Sequence, residues 1–245
     1  MTNKDNHVSG SELSTATANL VGFYAAILTT VITIITFGLA ITAIPIAGAN
    51  CREGCIAYPY LNTVGQFPRD YLWMFSAIGL ILAYVVLMVS IHHCASESKK
   101  IFSQIGLSFA IITAVILLID YFVQFSVVPI SLRNGETQGI ALLTQYNSHG
   151  VFIALEDLAY IIMSLSFLFM APVFSAKNRL EAAARWIFIA GFILTLVSLV
   201  VISINYGLDR KDRFEVISLS IDWLVLIING ILLSLVFRRR LKARP

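Results

Sequence analysis

Six stretches of roughly 20 residues or more run through this chain almost without charge, at residues 20–48, 71–92, 101–130, 150–174, 186–207 and 216–237. A helix rises 1.5 Å per residue, so about 20 residues cross ~30 Å of hydrocarbon. A barrel strand would instead alternate apolar and polar residues over ~10 positions, and these runs do not alternate. Of the 245 residues, 58% are hydrophobic and 13% charged. Soluble domains carry about 25% charge, so a soluble domain of this length is excluded. The expected fold is an all-α integral membrane protein, a bundle of six transmembrane helices. A polar lead (1–19) precedes the helical domain (20–237) and a basic tail (238–245) follows it. Pro45 and Pro129 lie near the ends of the first and third runs, where they are expected to kink or stop the helices.

Cytoplasmic loops keep an excess of Lys and Arg, so the cations set the orientation. With the lead placed in the cytoplasm, the inner segments hold Lys4, Lys99, Lys100, Lys177, Arg179, Arg185, Arg238, Arg239, Arg240, Lys242 and Arg244. The outer loops hold Arg52, Arg69, Arg133, Arg210, Lys211 and Arg213. Eleven against six places both termini inside, with the tail as the strongest anchor against anionic lipid. The clustering beside apolar runs marks these cations as topology signals, and no nucleic-acid partner is expected. The lead has no apolar core followed by a small-residue cleavage site, so it is read as cytoplasmic and retained. A plasma or inner membrane is the expected location and the lipid bilayer the first partner.

Cys51 and Cys55 flank Arg52, Glu53 and Gly54 in the first outer loop. An oxidising compartment there would permit a disulfide across a tight turn, which agrees with the topology. No His lies in that loop to complete a metal site. Cys94 sits beside His92 and His93 at the inner end of the second run, where an interfacial thiol is expected. The loops 48–69 and 132–149 are long enough for small caps and too short for a domain.

Four acids interrupt the runs: Asp120 in LLIDYFVQF, Glu156 and Asp157 in FIALEDLAYIIM, and Asp222 in LSIDWLVLII. An Asp at mid-helix costs roughly 2.5–3.5 kcal/mol to insert, so such a residue is read first as a functional site or a buried pair. Converted to depth, Asp120 lies ~15 Å, Glu156 and Asp157 ~10 Å and Asp222 ~9 Å below the outer surface. Three helices therefore offer carboxyls to one layer. Gln124, Tyr160 and Ser218 lie one turn from Asp120, Glu156 and Asp222, and Asn205 reaches the same layer. No Lys, Arg or His lies within the runs, His92 marking the boundary of the second. Either some of the acids carry a proton, or their charge is met by water, a loop Arg or a bound cation.

The expectation is an outward-facing pocket walled by Tyr121, Phe122, Tyr160 and Trp223 that binds or transports a cationic or protonatable small solute. Asp120, Glu156, Asp157 and Asp222 are the candidate ligands, Gln124 and Tyr160 would orient the guest, and Trp223 would stack on it through a cation–π contact. The enzymatic alternative is an intramembrane hydrolase, with His149 joining Asp120, Glu156 and Asp222 around a metal. One His among several acids selects no particular metal, so no cofactor is named. No HExxH, GxSxG, Walker or Rossmann pattern occurs. A structural or sensory role is the third alternative, in which the acids only hold helices together.

Two stripes read as packing. Thr29, Thr33 and Thr36 are expected to bond back to carbonyls one turn earlier, and Gly106, Ala110 and Ala114 to admit a close helix. IDY at 119–121 resembles IDW at 221–223, but the offsets within the third and sixth runs disagree, so an inverted 3+3 repeat does not align them.

Overall fold

The computed structural model describes residues 10–42 and 46–243. Pro45, and Lys4 and Arg244 of the charge count, lie outside the described residues. Six long helices dominate: α1 (Gly10–Thr42), α2 (Leu72–His93), α3 (Lys100–Ser126), α4 (Val151–Met170), α5 (Arg179–Tyr206) and α6 (Arg213–Lys242). Each is long and apolar enough to cross a bilayer. No strand occurs among the described residues.

The boundaries differ from the apolar runs in ways the local chemistry explains. α1 begins at Gly10, inside the polar lead, because Ser, Glu, Leu and Ala there continue a helix as readily as the apolar run does. α3 stops at Ser126, and Pro129 opens a separate short helix, Val128–Arg133. Proline lacks the N–H that would continue the ladder and disfavours helical backbone at the residue before it. α5 starts two turns before its apolar run because Asn178 caps it, its side-chain oxygen accepting from the Leu180 N–H at 3.1 Å.

The helices pack as a ring in chain order, with α6 closing onto α1 and α4 meeting α6 across the centre. Phe37 faces Trp223 and Thr30 faces Gly230, so α1 and α6 run antiparallel. Gly10 and Lys242 therefore lie at one end, called here the basic end, and the Cys51–Cys55 loop at the other, the loop end. The core is aromatic at mid-height, with Tyr84 edge-on to Phe167 and Phe167 stacked on Phe188 at 5.3 Å. α5 buries the stripe Ala184, Phe188, Gly191, Thr195 and Ile202 and turns Ile193, Leu196, Val197 and Val200 outward.

Both stripes pack. Thr33 and Thr36 donate to the carbonyls of Thr29 and Ile32, and Thr36 also meets Ser76 at 2.9 Å. A Cβ at Gly106 would press on the Ser166 carbonyl at 3.1 Å, and the Ser166 hydroxyl donates to the Gly106 carbonyl at 2.7 Å. Cys51 and Cys55 form a disulfide. Cys94 is half-buried, its thiol 3.5 Å from the Asn19 amide oxygen.

Candidate binding cavity

Helix register carries the acids to the loop end. Asp120 lies six residues before the end of α3, ~9 Å down, and Glu156 and Asp157 lie five and six residues into α4, ~8–9 Å down. Asp222 lies nine residues into α6, ~14 Å down. All four are buried. Only part of the expected cluster assembles. Asp120 and Glu156 lie within electrostatic reach of each other and of a third acid, Glu215, which lines the same cavity as Glu156. Like charges gathered at a buried site favour a proton or a bound cation among them.

Asp157 turns the other way. Its Oδ2 accepts from the Arg210 guanidinium at 2.8 Å, so at this residue the charge is met by a loop Arg, one of the alternatives open from the sequence. Arg210 belongs to the loop that joins α5 to α6, and folds over the bundle end. Asp222 is separate and deeper, fully buried beside Thr195.

A cavity of about 420 Å³ opens at the loop end, between the chain at 46–50, the segment 145–148 and the start of α6. Among the described residues four acids line it, Asp70, Glu156, Asp212 and Glu215, and no Lys, Arg or His does. Of the seven residues expected to bind a guest, Glu156 alone lines this space. Its Oε1 accepts from Tyr121 at 2.7 Å and its Oε2 is buried without a partner. Asp70 is held by Arg69 at 2.7 Å and by the Tyr146 hydroxyl at 3.1 Å. Burial holds the Tyr146 phenol above its ordinary range, so it stays a donor to Asp70. Asp212 accepts from the Ala49 N–H at 2.6 Å. Gly48 makes that approach possible: its φ is +80°, and a Cβ there would overlap the Asp212 carboxylate.

The remaining expected residues have other tasks. Gln124 ties the end of α3 to the capping loop, donating to the Leu143 carbonyl and accepting from the Gln145 N–H. Tyr160 is fully buried and meets Tyr121 hydroxyl to hydroxyl at 2.9 Å. Trp223 packs edge-on to Phe37 beneath the cavity; the aromatic wall is Trp73, which touches Trp223, together with Phe37 and Phe152. Phe122 faces outward and Asn205 is exposed on α5. Ser218 is buried and donates to the Glu215 carbonyl.

The expected metal set also disperses. His149 lines a second cavity of about 190 Å³ with Asp157, Arg210 and Lys211, apart from Asp120 and Asp222. Among the described residues no three His, Cys, Asp or Glu side chains are placed to hold a metal.

Asp70, Trp73, Asp212 and Glu215 escape a reading by apolar runs because each lies at a run's edge or beyond it. Glu215 and Asp212 sit in DRKDRFE, which reads as a solvated loop. The signal present is spacing: Glu215, Ser218 and Asp222, three and four residues apart, form one buried face of α6. No protein-family model, curated protein or solved structure matches the chain.

Proposed function

We propose that the loop-end cavity binds a small organic cation or protonatable amine on the outer side of a cell membrane, as the recognition step of its uptake or sensing. The observation that carries this reading is an acid-lined, cation-free cavity whose deepest carboxyl, Glu156, keeps one buried oxygen unpartnered. Its volume falls in the ~300–1,000 Å³ range of small-molecule sites, and apolar walls with a few convergent polar groups are their usual lining. Glu156 and Glu215 would share the ammonium group, and Trp73 would offer it an aromatic face. The side assignment rests on the excess of cations at the basic end and on the disulfide at the loop end, which suits an oxidising compartment.

The test is binding to the purified full chain in nanodiscs, with tetraethylammonium and a primary amine of similar size as probes and an uncharged branched alcohol as control. Both cations are expected to raise the melting temperature and the alcohol to leave it unchanged. In the Glu156→Gln, Glu215→Gln double variant, affinity for the cations should fall at least tenfold, which is about 1.4 kcal/mol. Equal shifts for cation and alcohol, or undiminished affinity in the double variant, would overturn the assignment.

A further inference from the structure

Below the cavity the hydroxyl contacts continue inward. The Tyr121 hydroxyl has one proton, which it gives to Glu156 Oε1 at 2.7 Å. In its 2.9 Å contact with Tyr160, Tyr121 must therefore accept and Tyr160 donate. The chain thus has a direction, Tyr160 to Tyr121 to Glu156, and Tyr160 keeps its oxygen lone pairs open to a further donor. Asp222 lies at the same depth, nine residues into α6 as Tyr160 is into α4, on a helix that packs against α4; it has no exposed surface and neither carboxyl oxygen hydrogen-bonded. An unpartnered carboxyl at such depth is costly, and intramembrane carboxyls joined to hydroxyl chains are the usual means of moving protons.

We propose that Asp222 is a proton-binding residue of the bundle interior, connected to the loop-end cavity by Tyr160, Tyr121 and Glu156. For outward transfer, the Asp222 carboxyl O–H bond breaks and its proton passes through one bridging water to the Tyr160 oxygen. Tyr160 passes its own proton to Tyr121, and Tyr121 passes its own to the Glu156 carboxylate. Asp222 ends as a carboxylate, Glu156 as a carboxylic acid, and both phenols end unchanged in composition with their hydroxyls reversed. Inward transfer is the same sequence run backwards. Of the two phenols facing Asp222, Tyr160 is the one hydrogen-bonded into the chain to the cavity, while the Tyr84 hydroxyl has no hydrogen-bond partner. α4 presents Tyr160, α2 presents Tyr84, and α5 presents Thr195, which does not titrate. α1 presents Phe37 and threonines at this level, and on α6 itself the next acid is Glu215, two turns above. The relay depends on the cavity being wet and not on which guest enters it.

The experiment is a pH jump from roughly pH 5 to roughly pH 8 on the full chain in nanodiscs, following the protonated-carboxyl C=O stretch by time-resolved infrared spectroscopy. Wild type should lose a band that Asp222→Asn lacks from the start. In Tyr121→Phe and Tyr160→Phe that band should persist and decay at least about tenfold more slowly. Glu156→Gln removes the terminal proton acceptor while leaving both phenol hydroxyls in place and should slow the decay likewise, which keeps the test valid should either phenylalanine variant fold poorly. Thr195→Val, beside Asp222 and outside the chain, should move the band without slowing it. The relay is overturned if Asp222→Asn removes no band, or if the band decays at the wild-type rate in the folded chain variants. Loss of cation affinity in the cavity would not mimic either result, since no guest is present.

Discussion

Replacing Gly230 with valine should lower the stability of the bundle by about 3 kcal/mol, the upper end of the range for overpacking a filled core. α1 and α6 meet at this glycine without room for a methyl group. A Cβ there would overlap the Thr30 hydroxyl and press on the Ala26 carbonyl at 3.0 Å and the Thr30 Cβ at 3.2 Å. Two of the three neighbours are α1 backbone or a β-branched stem, so little can yield, and the Thr30 hydroxyl is itself committed to the Ala26 carbonyl at 2.8 Å. The ring closes through this contact, so the loss should appear as an earlier transition in detergent titration of the whole chain. The milder Gly230→Ala should be partly rescued by Thr30→Ala, which removes the hydroxyl that the new methyl strikes. A Gly230→Val variant as stable as wild type would mean that α1 and α6 sit further apart than described.

Why that contact was not foreseen shows which part of the fold the sequence can carry. Burial of backbone polar groups leaves a long apolar run only one structure, so all six helices were legible from composition and length. Their partners were not, because in lipid an apolar side chain gains nothing by facing inward. Helix pairing is then decided by small residues and close packing. The Gly106, Ala110 and Ala114 stripe was readable as such a surface, being four residues apart; Gly230 and Gly191, each alone on its helix, were not. Gly191 nevertheless marks a crossing where Val225 comes within 2.7 Å of the position a Cβ would take.

The site was legible by half for a related reason. Acids inside apolar runs stand out, and Asp120 and Glu156 both lie buried at the loop end. What a linear reading cannot supply is the fold of the loops over them. Glu215 follows Arg210, Lys211 and Arg213 in the chain, yet Arg210 turns to Asp157 and Arg213 lies against the Tyr206 ring at 4.2 Å. The cations leave, and the carboxyl is drawn into the bundle. Depth was also displaced at Asp222, because α6 begins three residues earlier than its apolar run, which lowers that residue by about a turn.

Removing Arg210 should therefore cost more than an exposed arginine usually does. Asp157 has a buried side chain whose Oδ1 already lacks a partner, so Arg210→Ala strands the whole carboxylate. Breaking a buried pair costs 3–5 kcal/mol where both partners are dry. The Arg210 side chain is 38% exposed, and solvent screening reduces the expected loss to about 2 kcal/mol. Replacing both residues, Asp157→Leu with Arg210→Leu, should restore most of that loss, because no uncompensated charge remains. Thermal unfolding of wild type and these two variants reads this directly; a double variant less stable than Arg210→Ala would mean that the pair contributes more than mutual neutralisation. The same variants separate the two carboxyls on α4. Asp157 and Glu156 are adjacent in sequence but face different cavities, so Arg210→Ala should leave cation affinity at the large cavity within about twofold, well under 1.4 kcal/mol. A tenfold rise in that affinity would instead place Arg210 as a competitor for Glu156 and Glu215, and the cavity would no longer be cation-free.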